Sequence, residues 1–164
     1  MKTMFRKLIL ALVLAYAPFS AIAAPLALDV EGNIGHANNA DRTAWHLTEA
    51  DLLKLPAHSI TTSTTWTPKS TFTGPLLSDV LALADARGDR CELHTLDDYS
   101  HTVPVAQAVK YGAILAYSMN GKRLKVSDFG PLFLIYPRDA YPSEFTGAGA
   151  DAQFVWQVKA LVIR

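Results

Sequence analysis

Residues 97–137 read DDYSHTVPVAQAVKYGAILAYSMNGKRLKVSDFGPLFLIYP, and the order of turns and apolar runs in them settles the class of fold. Asp97-Asp98-Tyr99 reads as a turn, because Asp side chains bond nearby amides and tolerate turn conformations. Residues 100–103 then predict a strand, and residues 104–110 a short helix behind Pro104. Residues 114–119 and 122–126 predict two strands joined by Asn120-Gly121, a pair that accepts the positive φ values of a tight primed hairpin turn. Residues 132–136 are apolar throughout, as a strand covered on both faces is.

Toward the N-terminus, residues 26–30 predict a strand that closes on the turn Gly32-Asn33, and residues 41–43 a loop. A short helix opens at residues 47–51: Thr48 caps it, and Asp51 stands in for the capping-box Glu. Pro56 ends it. Residues 58–66 and 70–73 predict two more strands. Leu77, Val80, Leu81 and Ala84 fall on one stripe, so residues 75–87 predict an amphipathic helix. Pro75 suits its first turn and Gly88 its stop. Residues 91–96 return as a strand. On the C-terminal side, residues 138–152 form a long polar loop, and residues 154–163 alternate and close the chain as a strand. Many strands with a few short helices imply an α+β fold built on a mixed β-sheet. No internal repeat, low-complexity tract or linker interrupts it.

The first 23 residues carry Lys2, Arg6 and Lys7, then the apolar run 8–16, then Ala21-Ile22-Ala23. A basic start, a short apolar stretch and a small-x-small site are the features of an export signal. The run falls short of the about 20 residues of a membrane span. We expect residues 1–23 to be a signal peptide and residues 24–164 one domain, exported to the periplasm with no stable membrane span after cleavage. Removing the three signal bases from 15 leaves 12 against 15 acidic residues, a net charge of −3. That balance offers no basic field for nucleic acid. Cys91 is the sole cysteine, so no internal disulfide forms, and a free Cys of this kind is most often a small buried apolar residue.

Thr61 to Thr67 read TTSTTWT. β-branched residues fit a pleated strand, and the same hydroxyls suit the lining of a polar pocket. Trp66 reads equally as core packing or as a stacking surface, and Trp156 mainly as core. The Asp97–Tyr99 turn is either ligand-facing or an Asx turn bonded to its own amides. Arg138 and Asp139 bind an anion or pair with each other's neighbours at the surface. The five histidines form no i, i+4 helical pair, and Cys91 and His94 face opposite sides of one strand, so no zinc site emerges. No Gly-x-Ser-x-Gly elbow is present.

The stretch 97–137 resembles the oxidoreductase molybdopterin-binding domain, the central domain of sulfite oxidase and of the periplasmic protein-methionine-sulfoxide reductase catalytic subunit. The features that carry the likeness are Asp98-Tyr99, Pro104, Ile114-Leu115-Ala116, Asn120-Gly121, Gly130-Pro131 and Pro137, with Phe72-x-Gly74 before an apolar helix and Val155-Trp156 before the close. Their order and spacing extend over about residues 26–163. The resemblance implies the fold of the sulfite oxidase middle domain and, in enzymes of the family, a Cys thiolate on molybdenum. In the register of the reductase subunit that position is Thr62, and no Cys lies between residues 24 and 90. A neutral hydroxyl is a poor substitute for a soft anionic thiolate. The Arg residues that hold cofactor phosphate in those enzymes are scarce here, with Lys69 alone between residues 61 and 69 and Arg138 after the apolar strand. GAGAD, residues 147–151, falls where the family sets a Gly-containing loop against the pterin.

Two functions follow as expectations. The first is a protein of this fold without catalytic molybdenum, binding a small ligand or serving a periplasmic or membrane sensor. Thr62, Thr64, Trp66, Asp98, Tyr99 and Arg138 are the residues expected to line its pocket, hydroxyls and charge orienting the ligand and aromatic rings giving contact area. The second is a molybdopterin-dependent oxidoreductase with a non-thiolate metal site. Molybdopterin enters through the resemblance only.

Overall fold

The computed structural model describes residues 25–147 and 149–164; the expected signal peptide, residues 1–23, lies outside them. Among the described residues no helix is long and apolar enough to cross a membrane. Three sheets and short helices make an α+β fold, as expected.

The largest sheet places β1 (Leu28–Gly32) between β2 (Ala44–Leu47) and β11 (Val158–Ile163), and continues through β5 (Arg90–Thr95) to β6 (Ser100–Pro104). β1 and β11 run parallel while the other pairs are antiparallel, so the sheet is mixed. Alternation sets the inner face: Leu28 and Val30 are buried, as are Leu93 and Leu161 on the neighbouring strands. β3 (His58–Thr62), β4 (Ser70–Gly74), β8 (Ser118–Met119) and β9 (Lys122–Arg123) form a second, antiparallel sheet. β7 (Ile114–Ala116) pairs with β10 (Phe133–Ile135), all six residues buried. β7 runs close against β4: the Leu115 amide donates to the Pro75 carbonyl at 2.9 Å. A Cβ on Gly74 would meet the Leu115 carbonyl oxygen at 2.0 Å, which is why that position carries no side chain.

α1 (Glu49–Lys54) starts in the expected capping box: the Asp51 amide donates to the Thr48 hydroxyl at 3.3 Å, and the Thr48 amide to the Asp51 carboxylate at 3.1 Å. α2 (Leu77–Leu83) buries Leu77, Val80 and Leu81, a shorter version of the helix expected over 75–87. Pro75 precedes its N-cap Leu76. α3 (Val105–Lys110) follows Pro104, and Asn120-Gly121 turns the β8–β9 hairpin with φ of 51° and 75°.

Four expectations change. Leu47, expected at the opening of the helix, ends a strand instead: residues 44–47, to which the sequence assigned no strand, form β2, because Leu47 and Trp45 pair with Leu28 and Val30 and pack on the core beside them. A four-residue strand is too short to show a period of its own. β3 stops at Thr62, four residues before the expected end. The Thr64 hydroxyl accepts the amides of Trp66 at 3.2 Å and Thr67 at 3.0 Å, so side chain replaces ladder and residues 63–67 become a loop. The polar stretch 138–152 contains α4 (Pro142–Phe145) and a 3-10 turn, Asp151–Gln153. Phe145 anchors it in the core, stacked on Tyr136 with centroids 4.7 Å apart. The last strand begins at Val158 and not at 154, since Gln157 takes a φ of 56° that breaks the extended run.

Candidate functional site

The threonine-rich loop 63–67 is clamped to the chain leaving β10. Ser63 donates from its amide and hydroxyl to the Asp139 carboxylate at 3.1 and 2.7 Å, and the Asp139 amide donates to the Thr62 hydroxyl at 3.0 Å. The Ser63 hydroxyl, with help from the Ser63 amide, holds the Asp139 carboxyl below its usual range. One residue earlier, Arg138 donates to the Thr65 hydroxyl at 3.0 Å and the Asp151 carboxylate at 3.2 Å, while Thr65 itself donates to Asp151. Segments more than seventy residues apart in sequence are thus tied by six polar side chains, Thr62, Ser63, Thr65, Arg138, Asp139 and Asp151, and the two backbone amides of Ser63 and Asp139.

Beside this clamp lies a cavity of about 290 Å³. Trp66 and Trp156 meet there with ring centroids 4.4 Å apart and planes at 79°, forming a corner. Tyr99 and the side chains of Phe154 and Val155 continue the wall, and the carboxylates of Asp97 and Asp151 are set into it. Trp156 is steadied from behind by Phe129 at 5.9 Å and Phe133 at 6.2 Å, while Trp66 stays 41% exposed. The Thr95 hydroxyl, buried at the base, bonds Asp97 and lies 3.0 Å from the Tyr99 carbonyl. Thr95, and after it the Tyr99 amide, hold the Asp97 carboxyl below its usual range, so it is an anion at neutral pH.

Of the six residues expected in a pocket, Trp66 and Tyr99 line this cavity together. Arg138 stands behind its wall, reaching it through Asp151. Thr62 is 0% exposed and spends its hydroxyl on the Asp139 amide. Thr64 is buried and caps its own loop. Asp98, at a φ of 64°, directs its carboxylate to Lys159 at 3.0 Å, outside the cavity wall. The turn's Asx role belongs to Asp97 instead, which accepts the Tyr99 amide at 3.4 Å. Asp151 closes the GAGAD stretch that the resemblance sets at the cofactor edge, but nothing local in the sequence distinguishes it as a cavity residue.

The cofactor that the resemblance implies finds no matching ligands in this arrangement. Thr62, at the thiolate position, is sealed from the cavity. Cys91 lies on β5 in the core, 0% exposed, where burial pushes its thiol up to about 12; a protonated, enclosed thiol cannot ligate. Among the described residues no three His, Cys, Asp or Glu side chains converge as a metal site. Arg138, in the chain leaving β10, already shares one guanidinium nitrogen, Nη1, between Thr65 and Asp151. These residues do not fit a thiolate-ligated molybdenum cofactor.

Comparison with known proteins agrees with the fold. No curated protein matches the chain. Among solved structures, the sulfane dehydrogenase SoxCD of Paracoccus pantotrophus superposes with a TM-score of 0.61 at 17% identity, over 84% of this chain and 37% of that one. The chain therefore spans well under half the length of that structural relative, and the likeness is one of fold. A family model for the oxidoreductase molybdopterin binding domain matches residues 36–140, more than half of the chain. On that match the chain belongs to the oxidoreductase molybdopterin-binding domain family.

Proposed function

We propose that this protein is an exported, periplasmic member of the family that carries no catalytic molybdenum and acts as a binding module, taking a small ligand in the Trp66–Trp156 cavity on behalf of a periplasmic or membrane sensor. One observation carries the reading: at the position where the enzymes present sulfur, a wholly buried Thr62 hydroxyl is committed to the Asp139 backbone. Neutral alcohols do not replace soft thiolates on such a metal. The cavity supports the other half of the reading, since a small concave site with aromatic walls and a few fixed polar groups is the usual form of a ligand pocket. The loop that bears Trp66 is locked to Arg138 and Asp139, so a ligand would meet a preformed surface and lose little to ordering.

The test is elemental. Protein purified from the periplasm of a molybdenum-replete host is expected to contain molybdenum far below one atom per chain. Stoichiometric molybdenum would overturn the reading in favour of an oxidoreductase with an oxygen-ligated metal.

A further inference from the structure

The walls of the cavity carry two carboxylates, three aromatic rings with accessible surface, and no basic side chain. The nearest cations are both engaged elsewhere: Lys159 holds Asp98 at 3.0 Å, and Arg138 holds Asp151 and Thr65 from outside the wall. Asp151 is therefore partly neutralised, whereas Asp97 is bonded only by neutral donors, Thr95 and the Tyr99 amide, and feels Lys159 at longer range, as a cation paired to the adjacent Asp98. An anionic ligand would face a carboxylate that no cation bonds directly, and a neutral one would strip water from Asp97 with nothing in return. A cation would gain from both the carboxylates and the rings, because aromatic faces carry negative potential.

We propose that this cavity is a binding site for a small organic monocation of the quaternary-ammonium class, held between the Trp66–Trp156 corner and Tyr99 with Asp97 as counter-ion. The proposal rests on the binding-module reading and adds to it the sign and class of the ligand. Size agrees: at about 290 Å³ the cavity lies at the lower limit of small-molecule pockets, about 300 Å³. The charge preference is opposite to that of a site for phosphate or an oxyanion substrate.

Choline is the probe, with its uncharged isostere 3,3-dimethylbutan-1-ol and with sulfate as comparators. Binding is read by tryptophan fluorescence, since Trp66 and Trp156 form the wall, and by calorimetry. Choline is expected to bind, the isostere and sulfate to bind at least about tenfold more weakly. Asp97→Asn keeps the oxygen that Thr95 and Tyr99 bond while removing the charge, and is expected to weaken choline about tenfold without changing affinity for the isostere. Trp66→Leu, at an exposed position that spares the fold, is expected to do the same. Equal affinity for choline and the isostere, with both lost in Trp66→Leu, would overturn the cation assignment and leave the binding-module reading standing. Tighter binding of sulfate, or no response to choline in a protein that also contains no molybdenum, would overturn the assignment as well. Only stoichiometric molybdenum would take the underlying reading down with it.

Discussion

Arg138 and Asp151 meet at 3.2 Å across thirteen residues of chain, and Thr65, seventy-three residues from Arg138, donates into the same carboxylate. The Arg138 side chain is only 19% exposed, so the three groups act as a rivet between the tryptophan loop and the segment that carries Asp151. Arg138→Ala is expected to lower unfolding free energy by about 1 kcal/mol, and Asp151→Asn by about as much. The double variant is expected to lose less than the sum, because the two share one interaction. Urea unfolding of the four proteins measures it; strict additivity would mean that the rivet carries no coupling.

Thr62→Val keeps the shape of the side chain and removes its acceptor. The Asp139 amide then loses its partner in a part-buried bond against the enclosed Thr62 side chain, which costs about 1 kcal/mol. Thermal and urea unfolding should show that loss with an unchanged far-ultraviolet spectrum. A neutral outcome would mean that water reaches the Asp139 amide.

Acid should loosen the same clamp. The Ser63 hydroxyl depresses the Asp139 carboxyl below its ordinary 3.8, so the folded state binds the proton less readily than the unfolded chain. A depressed carboxyl stabilises the fold above its unfolded value and loses that contribution as pH falls through the folded one. Stability should therefore drop below about pH 4, and Asp139→Asn should start lower at neutral pH but decline less on acidification. Parallel pH curves for the two proteins would remove Ser63–Asp139 from the account.

Cys91 should be silent toward thiol reagents. It is 0% exposed and its thiol is raised to about 12 by burial, so both access and thiolate fraction are negligible. A disulfide reagent such as DTNB is expected to leave the native protein unmodified and to titrate one thiol in guanidinium chloride. Fast labelling of the native state would place Cys91 near an open path.

Several features were readable from neighbours in the chain. Thr48 and Asp51 announced their capping box, Asn120-Gly121 its hairpin, and the apolar run ending in Pro137 its buried strand, because each depends on residues within one turn or one strand. β2 was not readable, since Ala44–Leu47 becomes a strand only by pairing with Leu28–Val30. The candidate site was readable in part: Trp66 and Tyr99 were named as pocket residues, but the hydroxyls of Thr62 and Thr64 turned inward to backbone amides that no local pattern identifies.

Composition was enough for one chemical limit: no Cys lies between residues 24 and 90, so the strand that the resemblance aligns with the metal-binding one offers hydroxyls and no sulfur. Local spacing was likewise enough for the class of fold. Which acids face the cavity was a matter of three-dimensional packing. Asp97 and Asp98 are adjacent and chemically alike, yet a φ of 64° at Asp98 sends it to Lys159 while Asp97 stays with Thr95 and the tryptophan corner. Residues 66, 97, 151 and 156 come to line one cavity only after distant strands pair, and no short-range periodicity encodes that.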